Sequence, residues 1–258
     1  MKSDLNLISL LSINIIALVF LFTFPVYEQK TDQIETKKEG PEEILNQSTN
    51  SANFSKKEQK PLLTILKEIF VSKYFQHENI WATVFWVGEE ASEENDFIAN
   101  DVSYWDRNWQ SSFGGVDEPD ERNGYFPAAF KPKQNPFYFA LPYGEFEKGR
   151  NLKQNAVNIP WYLESLQTKA SLVKNRWIKV GFRNKICFAQ WEDVGPGKTN
   201  DFDYVFGKNP PENQFTGIDL SPAVRDCLGM GGKNKVDWQF VDFSEVPLGP
   251  WKEIITSD

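Results

Sequence analysis

The chain has 258 residues, 40% of them hydrophobic and 25% charged, with a formal net charge of -8. A chain of that size and make-up folds around an apolar core, as one domain with appendages or as two small ones. Its acidity argues against non-specific nucleic-acid binding, which needs clustered lysine and arginine, and its single histidine, His77, excludes a multi-histidine metal centre.

Residues 5–27 form an apolar run in which only Asn6 and Asn14 are strongly polar and no charge intervenes. About 20 such residues cross a bilayer as a helix, and no small-residue cleavage site follows. Residues 1–28 therefore read as a signal anchor, with a cleaved signal peptide as the second reading. Either one places the rest of the chain outside the cytoplasm, periplasmic or extracellular. Residues 29–60 are rich in Lys, Glu, Thr, Ser, Asn and Gln and nearly free of aromatics. Such a stretch buries too little apolar surface to offset its ordering entropy and reads as a flexible linker. The remainder, 61–258, is expected to be one folded domain. "PLLTILKEIFVSKYF" from Pro61 has the apolar spacing of a short leading helix. His77 follows in a polar connection and reads as a surface residue.

From Ile80 onward strand patterns dominate. "IWATVFWV" (80–87) is β-branched and aromatic, and "NPFYFALPY" (135–143) is bounded by prolines. "RWIKVGF" and "KICFAQW", separated by Arg183-Asn184, read as a hairpin. "KVDWQFVDF" sets Val236, Trp238 and Phe240 against Asp237, Gln239 and Val241, and "WKEIIT" (251–256) is expected to close the chain as a last strand. The polar stretch between Trp81 and Asn135 reads as a long loop. In "GIDLSPAVRDCLGMGG", Ser221 is placed to cap a short helix, Pro222 occupies its first turn and Gly229 its left-handed stop.

No cofactor or metal motif emerges. "VGPGKT" (194–199) has Glu192 where a phosphate-binding loop needs glycine, and "GMGGK" follows its helix where a dinucleotide fingerprint would precede it. The acidic "GGVDEPDERNG" (114–124) lacks EF-hand spacing and reads as a solvated loop in preference to a calcium site. Cys187 and Cys227 read as a disulfide in an exported domain or as two buried thiols, and both readings stand.

Four segments carry a resemblance. "IDLSPAVRDCLGM", followed a strand later by "KVDWQFV", resembles the C-terminal half of the double-psi β-barrels of rare lipoprotein A and of the first domain of expansins. "WEDVGP" is similar to the Asp-Arg-Gly-Pro segment of rare lipoprotein A, with Val194 in place of the arginine. "FYFALPYGEF" is similar to its Leu-Pro-Phe-Gly segment, and "WATVFWVGE" to its opening strand. The segments occur in the family's order over about residues 80–243. The resemblance implies a mainly β fold, a six-stranded double-psi β-barrel with a short helix and long loops, here preceded by an N-terminal membrane helix. It also implies a protein acting on cell-wall polysaccharide such as peptidoglycan.

The family's catalytic aspartates match Asp193, in the Asp-Arg-Gly-Pro segment, and Asp219, before Leu-Ser. The family's histidine is replaced by Phe130. A lytic transglycosylase needs one acid/base, because the substrate's own hydroxyl attacks, so a single aspartate with a raised pKa can serve. Asp193 is the first candidate and Asp219 the second. Glu192 falls on the opposite face of a regular strand and stands as a candidate substrate contact. Trp105, Trp109 and Trp191 are candidate sugar platforms, with core packing or loop pinning the favoured role of each. The other reading of the whole is a non-catalytic module that binds polysaccharide or a partner protein.

Overall fold

The computed structural model describes residues 73–147, 150–167 and 171–257. The expected signal anchor, the linker and nearly all of the leading helix lie outside the described residues. Among the described residues no helix is long and apolar enough to cross a membrane.

Eight strands run in chain order: β1 (Gln76–Val84), β2 (Arg122–Asn123), β3 (Phe126–Pro127), β4 (Tyr138–Leu141), β5 (Trp177–Phe182), β6 (Lys185–Val194), β7 (Ile218–Leu220) and β8 (Lys233–Val241). Among the described residues four short helices join them: α1 (Trp109–Phe113), α2 (Tyr162–Ser165), α3 (Phe202–Val205) and α4 (Pro222–Leu228). Six strands close into a barrel in the order β1-β7-β4-β6-β5-β8, while β2 and β3 form a separate ribbon. The pairs β1/β7 and β4/β6 are parallel, and the other barrel pairs are antiparallel.

Strand alternation sorts the side chains. Val236, Trp238 and Phe240 of β8, Ile178 and Val180 of β5, Cys187, Ala189 and Trp191 of β6, Phe139 and Leu141 of β4, and Ile218 and Leu220 of β7 share one buried core. The intervening residues of β4 face the other way. Tyr138 and Ala140 pack with Phe85, Val87, Trp109 and Phe113 in a second apolar cluster, built largely by the segment between β1 and β4. That segment is therefore a folded cover on the outer wall.

Its anchor is polar. Asp117 is buried, ion-paired with Arg122 and hydrogen-bonded by the Tyr138 hydroxyl at 2.9 Å, and its backbone N–H donates to the Val87 carbonyl. The acidic stretch 114–124 is thus not simply a solvated loop. Gly115 is required there: at φ 153° it lies flat on Phe130, whose ring would sit 2.7 Å from an added Cβ.

The helix α4 forms as its caps dictate. Ser221 accepts from the Val224 N–H, Pro222 fills the first turn, and Gly229 ends the helix at φ 64°. Ser221 also donates to the Pro136 carbonyl and accepts from the Tyr138 N–H, fixing the helix start against β4. The Arg183-Asn184 hairpin joins β5 to β6 with Phe182 opposite Lys185.

Two expectations are corrected. β1 begins at Gln76, through a register irregularity between His77 and Ile80, so His77 lies inside a strand. It is buried and stacked on Trp238 at 4.0 Å, and burial lowers its pKa to about 4. The segment 251–256 is not a strand. It is a single helical turn at Pro250–Lys252 and an extension tied down by Thr256, whose hydroxyl accepts from the Asn135 backbone N–H and whose own N–H donates to Gln190 Oε1.

Candidate active site

A single row of residues crosses four neighbouring strands. Asp193 at the end of β6 registers with Ala140 of β4. On its other side Ala140 registers with Asp219 of β7, which registers with Thr83 of β1. Residues in register across a sheet project from the same face. Asp193 and Asp219 therefore flank Ala140, their Cα atoms two strand spacings or about 10 Å apart.

Asp193 reaches this face through a bulge. Trp191 pairs with Phe139, yet the next β4 residue, Ala140, pairs with Asp193, leaving Glu192 as the extra residue. A regular strand would point Asp193 into the barrel with Trp191. The bulge turns it outward and seats Glu192 in a buried position. Alternation in a regular strand, expected from the sequence, is thereby overturned.

Both aspartates are half-buried and both are shifted. Burial raises Asp193 to about 7, opposed by N–H donation from Tyr104 and Val194 and reinforced by the charge of Asp219. The Tyr104 N–H lies 2.8 Å from Oδ1. Burial raises Asp219 to about 6, opposed by the Thr83 hydroxyl, which donates to its Oδ1, and reinforced by the charge of Glu89. Glu89 is itself raised, chiefly by burial, and accepts from Asn100 Nδ2 at 2.7 Å. Both carboxyls are thus held well above the ordinary aspartate range, where a carboxyl can serve as acid or base near neutrality.

The tryptophans take the core-packing and loop-pinning roles favoured for them. Trp191 is fully buried, stacked between Phe139 and Phe240, with its Nε1 donating to the Asp193 carbonyl. Trp109 is buried in α1 against Phe85 and Tyr138. Neither presents a face to a sugar, because each ring completes an apolar cluster. Trp105 is half-buried and its Nε1 donates to the buried Glu145 carboxylate at 3.2 Å. Beside it, the Tyr104 ring packs on Gly144 and its hydroxyl bonds Phe146. Trp105 and Tyr104 thus pin a strap whose backbone holds Asp193.

Among the described residues the most exposed indole is that of Trp81, 39% exposed and two residues from Thr83 on the same face of β1. Lys233 and Lys235 of β8 hold their ammonium groups 5.3 and 5.2 Å from its ring, and Lys233 also approaches Phe215, which is 77% exposed. Trp81, Thr83 and Glu89 escaped sequence reasoning. The alternation of "WATV", which sets Trp81 and Thr83 on one face and Ala82 on the other, was the available signal.

Among the described residues no group of three or more His, Cys, Asp and Glu side chains is arranged to hold a metal ion. Compared with known proteins, the chain matches no family model, and no curated protein is significantly similar to it.

Proposed function

We propose that the chain is a double-psi β-barrel of the rare lipoprotein A and expansin kind, acting on cell-wall glycan as a lytic transglycosylase. The resemblance is supported by where its motifs lie. "WATVFWVGE", "IDLSPAVRDCLGM", "FYFALPYGEF" and "WEDVGP" are scattered along the chain, yet they contribute β1, β7, β4 and β6, consecutive around the barrel. Membrane attachment through residues 1–28 and a position outside the cytoplasm belong to the same proposal.

The observation that carries the activity is the acid pair on one face, Asp219 raised to about 6 and Asp193 to about 7. In this reading Asp193, protonated near pH 7, gives its proton to the glycosidic oxygen. It then accepts the proton of the substrate hydroxyl that closes on the anomeric carbon. The Asp219 carboxylate stabilises the positive charge developing on the ring. Trp81 supplies the exposed face on which a sugar stacks.

Digestion of purified peptidoglycan tests the proposal. Wild type is expected to release anhydro-muropeptides, and Asp193→Asn and Asp219→Asn to lose at least a hundredfold in rate. Equal release by wild type and Asp193→Asn would remove the aspartate from the chemistry. A second reading, a non-catalytic polysaccharide- or protein-binding module, is favoured by the strap that bonds Asp193 and by the stacking of the lone histidine, His77, on Trp238. Sedimentation with the wall without product release would select it.

A further inference from the structure

Cys187 on β6 and Cys227 on α4 play no part in the acid–base chemistry. Cys187 is buried, whereas Cys227 is partly open to solvent. The Cys227 thiol points at the Ile186 carbonyl, 3.9 Å away and one residue from Cys187. Cys227 also packs against the buried cluster that contains Cys187, so helix and strand bring two thiols to their junction. Lys185 arches over the end of the same helix: its Nζ would sit 2.6 Å from a Cβ at Gly229, two residues beyond Cys227. Cys227 is lowered by the hydrogen bond from Cys187 and by the nearby charge of Lys185, while Cys187 is raised by burial. The exposed thiol is thus the better nucleophile, and the hidden one is placed behind it.

We propose that Cys187 and Cys227 are a redox pair, with Cys227 the thiol that reacts with an external disulfide and Cys187 the thiol that resolves the product. The Cys227 thiolate attacks one sulfur of a disulfide RSSR, forming a mixed disulfide and releasing one RS⁻. Cys187 then loses its proton and attacks the Cys227 sulfur, forming the Cys187–Cys227 bond and releasing the second RS⁻. Two protein thiols give up two electrons and two protons, and the external disulfide becomes two thiols. The bond joins α4, which follows Asp219 through the Ser221 cap, to β6, which carries Asp193 as its last residue but one. Oxidation therefore clamps β6, which carries Asp193, to the helix that follows β7 and its Asp219, whether or not those acids are catalytic.

The test uses the full-length chain, reduced, freed of reductant and incubated with glutathione disulfide without denaturant. Remaining thiols are then alkylated and the intact mass is read. Wild type is expected to lose two hydrogens, resist double alkylation and yield one cross-linked Cys187–Cys227 peptide. Its melting temperature should rise by roughly 10 °C, as a loop of this length implies. Cys187→Ala is expected to stop with glutathione on residue 227, and Cys227→Ala to stay unmodified. Should Cys187→Ala fail to fold, the wild-type mass and peptide map decide alone. Two alkylated cysteines after oxidation, or a persistent glutathione adduct on wild type, would overturn the proposal.

Discussion

Replacing Asp193 by asparagine keeps the shape and the acceptor for the Tyr104 N–H but removes the ionisation. The folded carboxyl titrates near 7, against an ordinary value of 3.8. Three units correspond to about 4 kcal/mol of differential free energy. Asp193 is half-buried, and solvent screening brings this to about 2 kcal/mol. The sign follows from the direction of the shift. A group raised on folding stabilises the fold fully below its unfolded pKa, and that contribution is lost as pH climbs through the folded value. Wild type should therefore weaken between pH 4 and pH 8 by an amount that Asp193→Asn does not share. The two proteins should melt together at pH 4, and the variant about 6 °C higher at pH 8, at 2–4 °C per kcal/mol for a domain of this size. Scanning calorimetry across that range measures the difference. A gap that does not change with pH, or a wild type that is the more stable at pH 8, would show that burial does not hold the proton on Asp193.

Thr83→Val removes the hydroxyl that favours ionised Asp219, and should move its pKa above about 6, read as a shift of its carboxyl carbon in an NMR titration. Arg122→Met strands Asp117 as a buried charge and should cost about 3–5 kcal/mol in urea unfolding, loosening the outer cover before the barrel. Ser221→Ala loses the cap of α4 and the bond to the Pro136 carbonyl, and should destabilise by about 1–2 kcal/mol. Trp81→Ala removes a partly covered ring on which Lys233 and Lys235 rest, and should cost about 1 kcal/mol in urea unfolding while weakening sedimentation with glycan.

The parts of the fold legible in the sequence are those that local chemistry decides. The cap, proline and glycine of α4 are each sufficient signals, and the alternation of Val236, Trp238 and Phe240 names the inner face of β8 without further context. The start of β1 was hidden because "QHEN" is polar and its register breaks after His77, so neither composition nor period marks a strand. The end of the chain was misread for the opposite reason. "WKEIIT" has strand composition, but it is fixed by the Asn135 side chain on the Trp251 carbonyl and by the Gln190 side chain on Thr256, in place of a backbone ladder. At the site, the sequence pointed to both aspartates but not to the face they share. That depends on the bulge at Glu192, and a bulge is set by the partner strand. Platform and core roles of the tryptophans do not separate in the sequence, because an indole at a strand end has the same signature whether it faces a groove or a core.

The order of strands around the barrel has a consequence for biosynthesis. β1 is made first among them, yet its neighbours are β7 and β8, the last two to be made. As the ribosome delivers the chain, Ala82 must wait for Ile218 before it can be covered. No N-terminal piece can close early, so the domain must reach nearly its full length before it gains cooperative stability, and its many non-local pairings will make that closure slow.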